Sequence, residues 1–448
     1  MARTGATSTK PVRLSSATWI TVIVATMCII GLVMVGSASS VISEGLYGTP
    51  WSIFVREVIW MAVGTGVFLA MAKFDYRSWR RWSKPLLGIT FLALAAVLVP
   101  GVGNASHGSS RWIGFGPLKV QPSEMMKLAL AVYGADFLAR MLAGRFPVKR
   151  MFTPLMLVTV VAVVLVLKQP DLGTSTVLML IALALLFAAG IPRKWIAASL
   201  AAVAGVALLV AAATPYMRAR LTGFINPGSN ATGTGYQVNQ SLIGLGSGHF
   251  FGLGLGGSHE KWGLLPNAHT DFIFSVIGEE LGIVGALVVL ALVAAFALKG
   301  LRIASEATDD YGQLLAVAIV VWITMEAVIN IGAVVGFLPV TGIPLPFISF
   351  GGSSLVITMA AAGILVSISR HQGTREGRVR QTKATTKQAA AKRAVAKPSG
   401  AAARLKTPSG RSTLSASRPR ASALGPTSNR ATSPARRASP STRPRRPR

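Results

Sequence analysis

The chain alternates long apolar runs with short polar breaks. Ten runs stand out, at about 17–38, 52–72, 85–100, 122–140, 153–168, 173–190, 193–214, 270–298, 312–337 and 351–369. Stretches such as LMLVTVVAVVLVL and ALVVLALVAAFAL lack the polar face that a helix in water would keep. At 1.5 Å per residue, about 20 residues cross a hydrocarbon core of roughly 30 Å. The pattern therefore predicts an all-α polytopic membrane protein with about ten transmembrane helices. The tripeptide SAS at 37–39 resembles a signal-peptide cleavage site. The apolar run before it, Ala17 to Val35, is longer than the usual core of about 7–15 residues, so it is expected to stay as the first helix.

Charge then orients the bundle. Cations gather in KFDYRSWRRWSK (73–84), RMLAGRFPVKR (140–150), PRK (192–194) and KGLR (299–302), which are the even-numbered connections. Lys and Arg favour the cytoplasmic side. Both termini are thus expected in the cytoplasm and the odd-numbered connections outside. Nine or eleven spans would put the basic C-terminus outside. Two outward connections are long, 101–121 and the large loop 215–269, and long ordered loops tend to carry function. The expected organisation is a cytoplasmic segment 1–16, a membrane domain 17–370 and a cytoplasmic tail 371–448.

Composition sharpens this. The chain is 51% hydrophobic and 13% charged, with a mean hydropathy of +0.54. One cysteine, Cys28, rules out an internal disulfide framework and reads as an apolar packing residue. Of the formal net charge of +30, most sits beyond residue 370, where 20 Lys and Arg face a single acid, Glu376. That tail has no aromatic residue and cannot bury a core, so it is expected to be disordered. Anionic membrane lipid is its favoured partner. No nucleic-acid partner is expected, because no folded reading module or stacking aromatic accompanies the charge.

Five stretches could carry chemistry. In RWIGFGPLKVQPSEMMK (111–127), Pro122 suits a first helical turn and puts Gln121, Glu124 and Lys127 on one side, with Arg111 and Lys119 arriving from the loop. Glu124 and Lys127 could simply serve the helix start, but four polar residue types exceed what a cap needs. In KQPDLGTS (168–175), Asp171 is as well explained by capping as by function, and Lys168 and Asp171 could share a cavity with Arg111. The glycine-rich NQSLIGLGSGHFFGLGLGGS (239–258) could move or approach a ligand closely. Its Gly252, Gly254 and Gly257 spacing is weak support for a nucleotide site, lacking a strand before it. In GFLPVTGIPLPFISFGGSSL (336–355), Gly351, Gly352 and Ser353 could pack helices or offer amides to an anion. Last, LLPNAHTDFIFSVIGEELGIVG (264–285) places His269, Thr270, Asp271, Glu279 and Glu280 in an apolar segment of a chain with only 15 acidic residues. Thr270 reads as the N-cap of the eighth span. On ideal helical geometry Glu279 lies about 80° and Glu280 about 180° round from Asp271, so the three need not share a face.

Together these stretches resemble the SEDS family (shape, elongation, division and sporulation proteins). RWIGFGPLKVQPSEMMK, KQPDLGTS, LLPNAHTDFIFSVIGEELG and LPVTGIPLPFISFGGSSL occur in family order, across roughly residues 18–370. QSLIGLGSGHFFGLGLGGSHEKWGLLPNAHTDF looks more like the division branch than the elongation branch. The resemblance implies a ten-helix peptidoglycan glycosyltransferase acting on lipid II, a disaccharide-peptide on undecaprenyl diphosphate. It places the family's essential aspartate on Asp271 and its polar cluster on Arg111, Gln121, Glu124 and Lys127. Its implied partners are a class B penicillin-binding protein transpeptidase and other division-complex membrane proteins. Two departures stand out: Asn267 where the family commonly has Glu, and Gly248–His249 where it commonly has Gly-Gly.

The chemistry fits the residues. Glycosyl transfer from a lipid diphosphate needs a base for the acceptor hydroxyl and charge neutralisation for the leaving diphosphate. Asp271 is the candidate base. Arg111 and Lys127, with Lys168, Arg218 or Lys261, are candidates to hold the diphosphate. A divalent cation, Mg²⁺ or Mn²⁺, could assist, and no organic cofactor is expected. The rival readings are a transporter that flips lipid II, an elongation-type polymerase, and a scaffold that would not need Asp271.

Overall fold

The computed structural model of the chain describes residues 15–100, 103–106, 109–115, 118–213, 218, 224 and 234–371. The expectations for 1–14, most of 215–233 and the tail from 372 onward lie outside the described residues.

Every one of the ten apolar runs is a helix. In chain order these are α1 (Ser16–Tyr47), α2 (Ser52–Lys73), α3 (Trp79–Val97), α4 (Pro122–Ala143), α5 (Val148–Leu167), α6 (Leu172–Ala188), α7 (Arg193–Ala213), α9 (Ile273–Ser305), α10 (Asp310–Val334) and α11 (Gly352–His371). An eleventh helix, α8 (Thr234–Ser247), lies inside the expected outer loop. Among the described residues six helices are long and apolar enough to cross a membrane: α1, α2, α5, α9, α10 and α11. The sequence explains several starts. Ser15 accepts from the Thr18 amide ahead of α1, Pro122 opens α4, and Asp171 accepts from the Thr174 amide to cap α6.

Of the six long spans α10 and α11 are the most enclosed. Helix α10 packs on α4, α6 and α9, and its Leu315, Ile319 and Trp322 are fully buried. Helix α1 packs against α2 and α9. Cys28 is buried there with its thiol 4.0 Å from the Met359 sulfur, a packing residue as its neighbours suggested.

Three features depart from the sequence expectation. The connection 101–121 contains a small antiparallel sheet, β1 (Asn104–Ser106), β2 (Ser109–Phe115) and β3 (Leu118–Val120), in the order β1-β2-β3. Ile113 pairs with Val120 and Gly114 with Lys119. Next, Thr270 is not an N-cap. Helix α9 starts later, after Phe272, and the Thr270 hydroxyl donates to the Asn267 carbonyl instead. Finally, α9 is broken at Gly282, whose φ of 69° is left-handed.

The break is repaired by the glycine-rich stretch. Leu253 and Gly254 amides donate to the Glu279 and Glu280 carbonyls, and Ile283 and Val284 amides donate to the His249 and Phe250 carbonyls. The segment thus supplies the backbone partners a continuous helix would have made, as a buried backbone requires. Glycine is needed for the approach. A Cβ on Gly248 would lie 1.9 Å from the Gly278 carbonyl oxygen, and one on Gly252 would lie 2.1 Å from that of Glu280. The glycine density therefore reflects close backbone packing.

Candidate active site

The end of the bundle that carries the small sheet and α8 also gathers the candidate motifs; it is the end expected to face outward. The turn before α9 is wound on one carbonyl. Asn267 O accepts from the Thr270 and Phe272 amides and the Thr270 hydroxyl. Asn267 itself sits at φ 60°, a left-handed conformation that Asn tolerates better than Glu.

This turn is tied to the proline-rich segment 336–350. Asn330 on α10 donates through one amide nitrogen to the Asp271 carbonyl and the Ile343 carbonyl, both at 2.7 Å. The Phe350 amide donates to His269 O, and the two rings pack at 5.8 Å. Burial pushes the His269 imidazole down to about 4, so the ring is neutral near pH 7. The Asp271 carboxylate lies against Gly342, where a Cβ would be 3.6 Å from Oδ2. Gly342 has φ 77° and no side chain to crowd that carboxylate.

The other motifs close round the same segments. Arg111 donates from Nε to Gln169 O at 2.8 Å and from Nη2 to Pro170 O at 2.6 Å, bracing the turn before α6. Gln121 donates to Asp171 Oδ2 at 3.2 Å, and its amide donates to Ser353 Oγ at 3.3 Å. Asp171 also holds the Thr174 amide and hydroxyl, so it caps α6 and anchors Gln121 together. Gly173 touches Ile343 and Thr341 so closely that a Cβ would come within 2.5 Å of Ile343. At the start of α11 the Gly351 amide donates to Glu57, a buried carboxylate on α2. Gly352, at φ 36°, leaves room for Trp60.

Glu124 and Lys127 form a buried cluster. The Lys127 ammonium is 2.7 Å from Glu124 Oε2, contacts Glu326 Oε1 on α10, and lies 5.3 Å from the Trp322 ring centre. Lys127 is 1% exposed. Trp322, Glu326 and Asn330 are spaced four apart on α10, so one helix face links the Lys127 cluster to the Asp271 turn.

Some candidates lie elsewhere. Lys168 is exposed at the end of α5. Lys261 is drawn to Gly256 O and to Glu280, 3.8 Å away. Arg218 is exposed, beside stretches outside the described residues. Glu279 and Glu280 belong to the repaired break. Glu279 accepts from Ser258 Oγ at 2.5 Å and the His259 amide at 2.8 Å; Glu280 accepts from Ser37 Oγ at 2.6 Å. Glu57, Glu326 and Asn330 were not singled out in the sequence. The signal was available, since polar groups inside apolar runs are rare and demand partners.

Among the described residues no three His, Cys, Asp or Glu side chains gather as metal ligands. The site has two carboxylates, Asp271 and Asp171, and Asp171 is occupied by Thr174 and Gln121. This donor set fits only a hard cation held by one protein carboxylate and a ligand's own phosphates.

Comparison with known proteins places this arrangement. The FtsW/RodA/SpoVE family model, described as cell cycle protein, matches residues 17–374. Stage V sporulation protein E of Bacillus subtilis is 40% identical over 343 residues, 76% of this chain and 93% of that protein. A probable peptidoglycan glycosyltransferase FtsW of Mycobacterium tuberculosis is 40% identical over 350 residues, 78% of this chain and 67% of that protein. A structure described as "Structural coordination of polymerization and crosslinking by a peptidoglycan synthase complex" matches with TM-score 0.65 and 29% identity, over 79% of this chain and 97% of that one. The rod shape determining protein RodA of Thermus thermophilus matches with TM-score 0.59 and 27% identity, over 79% and 96%. The chain is a multi-pass membrane protein and belongs to the FtsW/RodA/SpoVE family of cell cycle proteins.

Proposed function

We propose that this chain is a peptidoglycan glycosyltransferase that joins lipid II units into β-1,4-linked glycan strands for septal wall synthesis. The observation that carries the reading is the setting of Asp271. Its turn is fixed from both sides by Asn330 and by the 341–350 segment, and its carboxylate lies against a glycine. A base must be held in place before the reaction to be effective.

In this reading Asp271 takes the proton from the 4-hydroxyl of the acceptor's N-acetylglucosamine. The freed oxygen attacks the donor's anomeric carbon from the face opposite the diphosphate. A C–O bond forms, the C–O bond to the diphosphate breaks, and the configuration inverts. Arg111, which braces the turn before the α6 cap, neutralises the leaving group. Mg²⁺ or Mn²⁺ carried by the diphosphate would add to that neutralisation and leave Asp271 free to act as the base. The buried Lys127 instead fixes α4 against α10. A cavity of about 240 Å³ between α5, α6 and α7, walled by Phe152, Met156, Val160, Leu167 and Met179, takes a segment of the isoprenoid chain in this reading.

The named relatives support the reaction class, and the synthase complex supports a partner that crosslinks, a class B penicillin-binding protein. Relatives named FtsW, at about 40% identity, support the division role. Both termini are cytoplasmic in this reading, and the site faces outward.

The test is polymerisation of labelled lipid II by the purified protein with its transpeptidase. Asp271→Asn is expected to lower the rate at least about 100-fold, the usual scale for loss of a general base. Equal polymerisation by the variant would remove Asp271 from the chemistry. A folded, partner-bound wild type that makes no polymer but moves lipid II between leaflets would replace the polymerase reading with a transporter.

A further inference from the structure

The opposite end of the bundle holds a cleft that the reaction does not use. It lies at the junction of α4 and α5, has a volume of about 820 Å³, and is walled by Phe137, Met141, Phe146 and Pro154. Lys149 and Arg150 line it as well.

The local backbone builds this rim. Helix α4 ends as the Arg145 amide donates to Leu142 O and the Phe146 amide to Met141 O. Arg145 takes a left-handed φ of 52°. That turn folds the Phe146 ring back over Gly144, so closely that a Cβ there would lie 2.4 Å from it. The Arg150 guanidinium then sits 5.8 Å from the Phe146 ring centre. Phe146 remains 40% exposed.

The charge here is unmatched. Asp136, the acid on the last turns of α4, is taken by Arg140 at 2.9 Å and Arg80 at 3.0 Å. Among the described residues Arg145, Lys149 and Arg150 form no ion pair with a carboxylate. Two cations, Lys149 and Arg150, thus line an apolar cleft, and Arg145 lies in the turn just before it. The chain's own tail is a poor occupant, because its sequence carries the same sign of charge.

We infer that this cleft binds an anionic phospholipid of the cytoplasmic leaflet. Lys149 and Arg150 take the headgroup phosphate, and an acyl chain lies along Phe137, Met141 and Pro154. The apolar wall runs on into the lipid-facing side of α5, where Leu157, Val161 and Val164 are exposed. An acidic peptide would match the cations but would leave that wall uncovered. Anionic lipid satisfies both, and basic pockets at the ends of spanning helices suit such headgroups. The leaflet assignment rests on the proposed topology; the lipid chemistry does not.

The test uses the purified full chain in neutral detergent, titrated with phosphatidylglycerol or phosphatidylcholine and read by native mass spectrometry. Phosphatidylglycerol is expected to bind preferentially. Lys149→Ala with Arg150→Ala should weaken it about tenfold or more, given the usual contribution of each cation near anionic lipid. Phe146→Ala should weaken it with no change of charge. Arg193→Ala with Lys194→Ala, an equal charge loss at the α6–α7 connection, should leave it unchanged. Equal loss in that control pair, or equal binding of the neutral lipid, would overturn the site. So would glycerol phosphate, inorganic phosphate or hexaglutamate binding as tightly as the lipid. Arg145→Cys labelled by a membrane-impermeant maleimide reads the side separately. Labelling in inverted vesicles supports the cytoplasmic leaflet, and labelling in spheroplasts overturns it while leaving the lipid result to stand or fall alone.

Discussion

Two of the buried polar centres in the bundle are built on different plans. In the first, Glu124, Lys127 and Glu326 meet side chain to side chain from two unbroken helices. In the second, Glu279 and Glu280 are served largely by a loop: Ser258, the His259 amide, Lys261, and Ser37 from α1. The first centre needs its cation, because two carboxylates face one ammonium in an apolar setting. The second exists because α9 breaks at Gly282 and lets the 249–261 segment in. One centre locks helices together, and the other couples a loop to the half-helix that follows Asp271.

The largest effect is expected at Lys127. Lys127→Met leaves two buried carboxylates facing each other, and breaking a buried pair this way costs about 3–5 kcal/mol. Adding Glu326→Gln to that variant should recover part of the loss, since it removes one of the stranded charges. Thermal unfolding in detergent measures both. A Lys127→Met loss below about 1 kcal/mol would mean that the centre is not held by its ion pairs.

At the second centre the change in charge should matter less than the loss of the acceptor. Glu279→Gln keeps one oxygen for the His259 amide and turns its NH2 to the Ser258 hydroxyl, which can accept instead of donate, so a loss of about 1 kcal/mol is expected. Glu279→Ala leaves both donors without that partner and should cost roughly 1–3 kcal/mol. Faster protease cutting between 249 and 261 in Glu279→Ala would show that the loop has come away. If Gln and Ala behaved alike, the two centres would not differ in the way argued.

The same contrast explains what could be read from the sequence. The ten helices follow from the apolar runs, and six of them, among the described residues, are long and apolar enough to cross a membrane. The Glu124–Lys127 pair follows from a spacing of three on a helix opened by Pro122. Arg111 reaches the turn before Asp171, and Gln121 donates to Asp171, because their motifs lie at the ends of neighbouring spans; Lys168, expected to share their cavity, is exposed. The second centre was hidden. Its donors lie about 20 residues upstream in a segment with no helical period, and they reach the carboxylates through backbone amides, which every sequence possesses. Gly282 in EELGIVG was the one local sign, a glycine inside an apolar helix. Thr270 misled for a related reason. It has the chemistry of a cap, but the Asn267 carbonyl had already claimed the turn.

A smaller effect separates the centres by pH. Glu260 lies beside the second centre, and burial together with the Glu279 charge pushes its carboxyl up to about 7. The ordinary value is 4.5, so the folded chain binds this proton more tightly than the unfolded one. Its contribution is fully present below 4.5 and is lost as the pH rises to about 7. His269 acts oppositely: its value falls from 6.5 to about 4, so its neutral form loses stability as the pH drops through that range. Comparing thermal midpoints of wild type and Glu260→Gln at pH 5 and pH 7.5 isolates the first term. The variant should gain on wild type at the higher pH, and a constant difference would rule out titration at Glu260.

The smallest expected change concerns the two departures from the family pattern, which both fall on left-handed backbone. Asn267 is at φ 60° and His249 at φ 47°. Asn tolerates that region, whereas a longer side chain is strained there, so Asn267→Glu should cost roughly 0.5–1 kcal/mol. His249 is exposed, and what its position contributes is a carbonyl that accepts the Ile283 amide across the α9 break. That carbonyl survives any substitution. His249→Gly removes the left-handed strain, worth about 1–2 kcal/mol, but adds unfolded-state freedom worth about 0.5–1 kcal/mol. A net gain of roughly 0.5–1 kcal/mol is expected, seen as a higher thermal midpoint with unchanged polymerisation. A loss instead would mean that the imidazole itself holds the repaired break. The second centre would then depend on a side chain, as the first one does.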